Sequence, residues 1–440
     1  MSNSLSIQTN SLFRASCLAM FVTAMTASIR AGVLGDFVFE FQLTSEEVGW
    51  AIGTAFWGFT LAMIFAGPLC DILGMKRLAY IGFFAHSLGI IMTLFASGFW
   101  SLFAATLLVG IGNGMVEGYV NPLVTAIYPK KKIKMINIVH LWFPVGLVIG
   151  GLVSFFIDQL IDPLGIKAWQ IKIGLILIPI VIYIWMFKNI KFPVTERVAK
   201  GITTKQMFLS CLNPLFLIIL FLMTFTSITE WGPNQWIESL LQSVASPILV
   251  LVWIGAIMAI GRAFAGPVLN KLTSTGLLWT ASIFSCIGLL LLAQASGGLA
   301  VFLSATIFAI GITYFWPTML GFVNENIPKS GALGLAIVGG WGMLAANFAQ
   351  PLLGRILDTQ ISQALPEGYV LEEVRSALVG TREALVYQSA HLTGGMETLN
   401  YIAYFPAFLI LAFGLLFLYV RKRNHNVKQN NSSTGRIGHI

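Results

Sequence analysis

Runs of about twenty apolar residues recur from one end of this 440-residue chain to the other, and nothing else in the sequence restricts its fold so tightly. A bilayer core about 30 Å thick takes roughly 20 residues of α-helix to cross. Twelve such crossings are expected, over 12 to 35, 46 to 69, 78 to 97, 100 to 127, 134 to 158, 168 to 187, 211 to 231, 247 to 270, 275 to 295, 299 to 324, 332 to 355 and 400 to 420. The runs are too long for the strands of a membrane barrel and lack their alternation, whereas a helix satisfies its own backbone in lipid. With 57% apolar and 10% charged residues and a mean hydropathy of +0.82, the composition is not that of a soluble globular domain. The expected fold class is an all-α membrane protein.

A net charge of +8 would suit a polyanionic partner, but the placement of the basic residues argues against nucleic acid. Lys76 and Arg77 follow the second span. Lys130, Lys131, Lys132 and Lys134 follow the fourth, Lys188, Lys191, Arg197, Lys200 and Lys205 the sixth, and Arg421, Lys422 and Arg423 the twelfth. Odd-numbered spans are followed by far fewer. This parity is the positive-inside bias, and it predicts a multi-pass protein of a bacterial inner membrane with both termini cytoplasmic. Cys17, Cys70, Cys211 and Cys286 lie in or beside apolar spans with no CxxC spacing, so neither disulfides nor a metal site are expected. The first apolar run has some signal-peptide character, with Arg14 ahead of it and small residues around Ala27. Arg30 interrupts it, and eleven further spans make cleavage unnecessary.

The chain also divides in two. The polar stretch 188–205 falls between spans six and seven and reads as a cytoplasmic linker between bundles at 1–187 and 206–423. Phe65-Ala66-Gly67-Pro68-Leu69 ends span two, and Phe264-Ala265-Gly266-Pro267-Val268 ends span eight. Asn121-Pro122 in span four, with Pro129-Lys130 beyond it, is echoed by Trp316-Pro317 in span ten with Pro328-Lys329 beyond it. A duplicated six-helix unit is therefore expected, the arrangement that lets two halves rock about a midplane site. Residues 357–398 form a long outer loop by parity, with a surface helix possible over Leu371 to Leu385, and 424–440 is a polar tail expected to be disordered. Spans six, nine and twelve carry almost no polar groups and should face lipid. Spans one, four, five, seven, ten and eleven carry polar groups and should face an internal cavity.

Between spans two and three stands Gly67-Pro68-Leu69-Cys70-Asp71-Ile72-Leu73-Gly74-Met75-Lys76-Arg77, which resembles the loop signature GxLxDrxGrkr of the major facilitator superfamily. Its glycines permit a tight turn, while Asp71 is suited to capping a helix or pairing with a basic group. Gly67, Asp71, Gly74, Lys76 and Arg77 are thus the candidate conformational motif. Ile72 stands where the signature has a basic residue. In span four, Gly112-Asn113-Gly114-Met115-Val116-Glu117-Gly118-Tyr119-Val120-Asn121-Pro122 is similar to the fucose:proton symporter branch, in which an ExxxNP element supplies a protonatable glutamate. Asn137 to Gly146, Gly261-Arg262, Pro317 and Gly339-Gly340 extend the likeness through both halves. It implies two pseudo-symmetric six-helix bundles and a proton-coupling role for Glu117. That branch carries a second acid in span one, where alignment from Leu43-Thr44 places Ala31 beside Arg30. A two-acid relay does not carry over.

Glu117 sits in mid-span, where lipid disfavours an unpaired carboxylate ion and thereby suits the residue to carrying a proton. Arg30 is expected either to neutralise it or to snorkel to the outer surface. Candidate substrate contacts are Asn121, Asn137 and His140, the last two on one helical face, together with Glu230, Asn234, Gln235 and Trp236, where polar and aromatic groups would break span seven. The competing reading of that segment is a helix end with belt tryptophans. Trp316, Asn347 and Gln350 are further candidates, Trp57 and Tyr314 are divided between cavity and packing, and His86 is expected to be structural. No GxxxxGK[ST], HExxH or metal-ligand spacing is present, so no enzyme is expected. The residues point to a monomeric secondary transporter with no cofactor but a coupling proton, or sodium in its place. It would import a neutral sugar or related small polar solute. Proton-coupled efflux and a non-transporting solute receptor are the alternatives.

Overall fold

The computed structural model describes residues 2–129, 132–161, 167–193, 204–241, 246–264, 268, 271–378 and 380–434. Twelve crossing helices follow one another: α1 (Ser2–Ala31), α2 (Ser45–Leu73), α3 (Met75–Leu94), α4 (Phe99–Ile127), α5 (Lys132–Ile161), α6 (Ala168–Leu175, continuing as Leu177–Phe187), α7 (Pro214–Gln235), α8 (Ile248–Ala263), α9 (Ser274–Gln294), α10 (Gly298–Ile312, continuing as Phe315–Asn326), α11 (Gly331–Ala364) and α12 (Arg382–Thr434). Eleven are long and apolar enough to cross a membrane, and α8 is a shorter apolar helix of 16 residues. An even number of crossings returns both chain ends to one side, called here the terminus side and opposed to the far side.

Local chemistry fixes several boundaries. Thr44 and Glu47 form a reciprocal capping box that starts α2. Asn213 caps α7 ahead of Pro214, and Thr273 caps α9. Gly74, with φ +82°, makes the turn from α2 into α3 that a side chain would strain. Beside it, Lys76 Nζ donates to the carbonyls of Lys188 and Ile190, both at 3.0 Å, and so ties the start of α3 to the chain leaving α6. Arg77 is exposed. The side chains of Gly67 and Asp71, also part of the expected motif, lie outside the described residues.

The helix pairings repeat. In the first half α1 packs on α5 and α6, while α4 packs on both α2 and α3. In the second half α7 packs on α11 and α12, while α10 packs on both α8 and α9. Adding six to each number turns the first set into the second. The halves meet along α2–α11 and α5–α8, two interfaces that the same operation exchanges. This is the pseudo-symmetric pair of six-helix bundles expected from the duplicated sequence. Close packing within the first half depends on a glycine row in α4. A Cβ on Gly110 would meet the Ala55 carbonyl, one on Gly114 the Phe59 carbonyl, and one on Gly118 the Ala66 side chain.

Exposed large apolar side chains cover α6, α9 and α12, as expected, and also α3 through Phe84, Leu88 and Ile91. Three expectations need correction. The outer loop is shorter than 357–398, because α11 runs on to Ala364 and α12 already begins at Arg382. Of the expected surface helix only Leu371–Arg375 forms, since Gly380 at φ +91° breaks the chain ahead of α12. At the other end α12 continues to Thr434 instead of giving way to a disordered tail from 424, there being no proline or glycine between Gly414 and Gly435 to stop it.

Candidate functional site

The far side is sealed between the halves. Asp358 on α11 accepts from the backbone N–H of Ser45 (3.0 Å) and of Glu46 (3.4 Å), the free donors at the start of α2. Arg375, from the outer loop, pairs with the same carboxylate. Nearer the middle, Asn347 turns its amide so that its nitrogen donates to the Gly53 carbonyl at 2.6 Å and its oxygen accepts from Trp57 Nε1. Thr60 Oγ1 donates to the Gly340 carbonyl at 3.0 Å. Among the described residues no hydrogen bond or ion pair joins the halves on the terminus side of that contact. The bundle is therefore bonded across its far side, and the other side, where the described residues form no such bond, is called here the parted side.

The first half presents a polar triad toward the parted side. Asn121 Nδ2 donates to Glu117 Oε1 at 3.3 Å and, one turn back along α4, to the Glu117 carbonyl at 3.4 Å. His140 Nε2 on α5 donates to Asn121 Oδ1 at 3.0 Å and lies 3.6 Å from Glu117 Oε1. The side chains of His140 and Glu117 are 37% and 18% exposed. Among the described residues no lysine or arginine reaches this carboxylate. A turn farther along α4 toward the far side, a buried chain of bonds crosses the same half. Tyr183 hydroxyl donates to His86 Nδ1 (3.3 Å), His86 Nε2 to Asn113 Oδ1 (2.8 Å), and Asn113 Nδ2 to Thr26 Oγ1 (3.2 Å). His86 is thus structural, and its ring lies so close to Gly112 that a Cβ there would collide with it.

The second half carries its charge differently. Glu230 on α7 is buried, and its Oε1 lies 3.6 Å from a terminal nitrogen of Arg262 on α8. Arg262 Nε donates to the Thr313 carbonyl at 3.2 Å. Proline explains why that carbonyl is free. Pro317 has no N–H to return to the residue four positions earlier, so α10 is interrupted at Thr313 and Tyr314. Tyr314 hydroxyl stitches the break to α8 by donating to the Gly261 carbonyl at 2.8 Å. The Trp316-Pro317 echo of Asn121-Pro122 has therefore become a helix break capped by an arginine. Arg262 was not among the expected site residues. Its signal was its place on α8, nine residues from outward-facing Trp253 and so opposite it on the helix.

Arg30 does not pair with Glu117. Thr26 and Asn113 mark a common level of α1 and α4, and the two charged residues lie one turn to either side of it, about 12 Å apart along the axes at 1.5 Å per residue. Instead Arg30 Nε donates to Gln235 Oε1 at 2.9 Å, and its guanidinium lies 5.4 Å from the centre of the Phe56 ring. Gln235 Nε2 also donates to the Ala27 carbonyl at 3.3 Å. Nor is α7 broken over 226–236. It runs unbroken to Gln235, because Pro233 falls near its end and removes only one backbone bond. Asn234 and Trp236 are buried in the sealed side, with Asn234 Oδ1 and Trp236 Nε1 lacking partners. Gln350 donates back to the Ala346 carbonyl at 3.0 Å and Asn347 locks α11 to α2, so both hold helices in place in this state. Trp316 packs with Phe56, Phe59, Trp231, Met343 and Ala346 in an apolar cluster where the halves meet. Asn137 lies outside the described side chains. A groove of about 190 Å³ between α7 and α11, with Trp341 and Phe348 in its wall, is apolar and holds none of these charged groups.

Comparison with known proteins agrees with this architecture. The crystal structure of a bacterial homolog of the human lysosomal transporter Spinster, inward-facing and unoccupied, superposes with a TM-score of 0.76 at 16% identity over 93% of this chain and 96% of that one. The xylose transporter XylE from E. coli, partially occluded and inward open, gives 0.68 at 12% identity over 90% and 96%. At these identities the likeness is one of fold. In sequence, the galactose-proton symporter of Escherichia coli (strain K12) is 27% identical over 167 residues, 38% of this chain and 34% of that protein. The niacin transporter NiaP of Acinetobacter baylyi is 27% identical over 141 residues, 32% of each. The chain thus spans about a third of the length of the curated relatives it matches. Residues 16–351 match the Major Facilitator Superfamily as a whole, more than half of the sequence, and the chain belongs to that superfamily.

Proposed function

We propose that this protein is a secondary active transporter that takes up a sugar or related small polar solute together with a proton, by alternating access between its two six-helix halves. One observation carries the reading. Glu117 stands in mid-α4, partly exposed toward the parted side, and its partners are an amide and an imidazole rather than a fixed cation. A proton can join or leave such a carboxylate without breaking an ion pair. Glu230 is not free in this way, because losing its charge would strand Arg262. Glu117 is therefore the proton carrier, with Asn121 bonded to it and His140 beside it. The likeness of the Glu117-to-Pro122 segment to the fucose:proton symporter branch supports the same assignment.

A ring-bearing solute suits the aromatic cluster. Phe56 and Phe143 meet Trp231 edge-on at 5.3 and 6.0 Å, and Trp316 joins them from α10. Aromatic faces take the C–H face of a sugar, and neighbouring amides take its hydroxyls. Relatives named as galactose-proton and arabinose-proton symporters favour a sugar, while one named for niacin leaves the solute to be decided by the site. Uptake follows if the terminus side is cytoplasmic, as the clustering of basic residues in the even-numbered loops requires, in a bacterial inner membrane and with the monomer as the working unit. A counterflow screen over monosaccharides, sugar acids, amino sugars and polyols in proteoliposomes, with and without an inward proton gradient, tests the proposal. At least one solute should exchange in both conditions and accumulate only with the gradient. Exchange with no response to the gradient in any solute would overturn it.

A further inference from the structure

We infer that Arg30 is the anchor for a carboxylate on the transported solute, so that the substrate is a small monocarboxylate carrying a hydroxylated or planar ring. The inference rests on the transport reading for its context but on separate residues for its evidence. Arg30 belongs to the last turn of α1, and side chains lean toward the N-terminus of their helix, here toward the membrane midplane. Its guanidinium accordingly lies over Phe56, half-way along the span Ser45–Ala66 of α2. The residue is only 6% exposed. Its Nε donates to the neutral Gln235 amide, and among the described residues no aspartate or glutamate lies within ion-pair distance. The carboxylates nearby are engaged elsewhere: Glu230 with Arg262, and Asp36 and Asp158 with Lys172.

A buried guanidinium facing only an amide and a ring leaves its charge uncompensated, a cost of several kcal/mol in a protein interior. Among the described residues its terminal amino groups have no hydrogen-bond partner, and they form the flat two-pronged donor that matches a carboxylate. Next to them Trp231 packs on the same Phe56 ring with its buried Nε1–H unpartnered, one more donor without an acceptor. An anionic group seated here would gain two charged hydrogen bonds and a place for its ring on Phe56 and Trp231. A neutral solute would leave the charge uncompensated, and an amine would be repelled. Arg262 is not equivalent, since an anion there must first displace Glu230.

The test is binding in detergent or nanodiscs, followed by tryptophan fluorescence and thermal shift, with matched probes: gluconate against glucitol, galacturonate against galactose, and benzoate against benzamide. At least one carboxylate should bind saturably while its uncharged counterpart does not. Arg30→Gln should weaken that binding by about 10-fold to 100-fold, the range for a charged hydrogen bond, and Arg30→Lys should retain more of it. The lysine variant also controls for folding. Binding confined to the uncharged probes, no binding by any carboxylate, or carboxylate binding unchanged in Arg30→Gln would overturn the inference. Binding needs no gradient, so a carboxylate that binds through Arg30 but is not moved with protons would sink the transport reading and leave this one standing.

Discussion

The two halves of this molecule are built on one plan and hold their buried acids in opposite ways. In the first, Glu117 is partly exposed, accepts from the Asn121 amide and lies 3.6 Å from His140 Nε2. In the second, Glu230 is buried against Arg262, whose other donor caps the carbonyl released by Pro317. One pair of helices holds its acid beside an amide and an imidazole, the other against a cation. The difference teaches that duplicated helices supply equivalent positions, while the side chains brought beside them decide whether an acid there meets neutral groups or a cation.

The contrast can be broken most forcefully at the brace. Arg262→Ala leaves Glu230 buried without a partner and should cost about 3–5 kcal/mol, read as a large fall in thermal unfolding temperature. Adding Glu230→Gln should restore most of the loss, and a single variant of wild-type stability would show that no brace exists. Next in size is the far-side lock. Asp358→Asn removes the charge from the start of α2 and from Arg375, a change of about 1–2 kcal/mol. A cysteine placed at Val48, which is buried in that seam, should then label faster from the far side, by about 5-fold to 30-fold.

A gentler effect is expected at Glu238, just beyond the end of α7. Burial pushes its carboxyl up to about 7, against the opposing pull of Lys172. The folded protein therefore binds this proton where the unfolded chain has lost it. Stability should fall as pH rises from about 4.5 to about 7, by at most about 1.4 kcal/mol per pH unit for one proton. Glu238→Gln should flatten that slope, and an unchanged slope would remove Glu238 as its cause. Smallest of all, Glu117→Gln should alter stability by no more than about 1 kcal/mol, because an amide oxygen can keep the bond from Asn121.

Much of this could be read before any coordinates. Hydropathy marked the crossings, and the paired Phe-Ala-Gly-Pro segments marked the duplication. Glu117 was expected as a proton-coupling group beside Arg30, and Asn121 and His140 as substrate contacts; the meeting of the three was not expected. What could not be read was the level at which one helix stands against the next. Arg30 and Glu117 sit on neighbouring helices, yet lie about 12 Å apart along them, and only the Thr26–Asn113 bond reveals the offset. The partnership of Arg262 with Glu230 was missed for the same reason, although Pro317 announced a free carbonyl in α10. Loop length misled where α11 and α12 continue as helix beyond the membrane, because polar helix and polar loop have similar composition.

The account depends on Glu117 carrying a proton through the membrane with the solute. The direct measurement is the internal pH of proteoliposomes, reported by a trapped dye, when a solute selected by counterflow is added outside without an imposed pH gradient. Wild-type protein should acidify the lumen as the solute enters, and Glu117→Gln should move solute by exchange with no acidification. Acidification that persists in Glu117→Gln would contradict the assignment at its root.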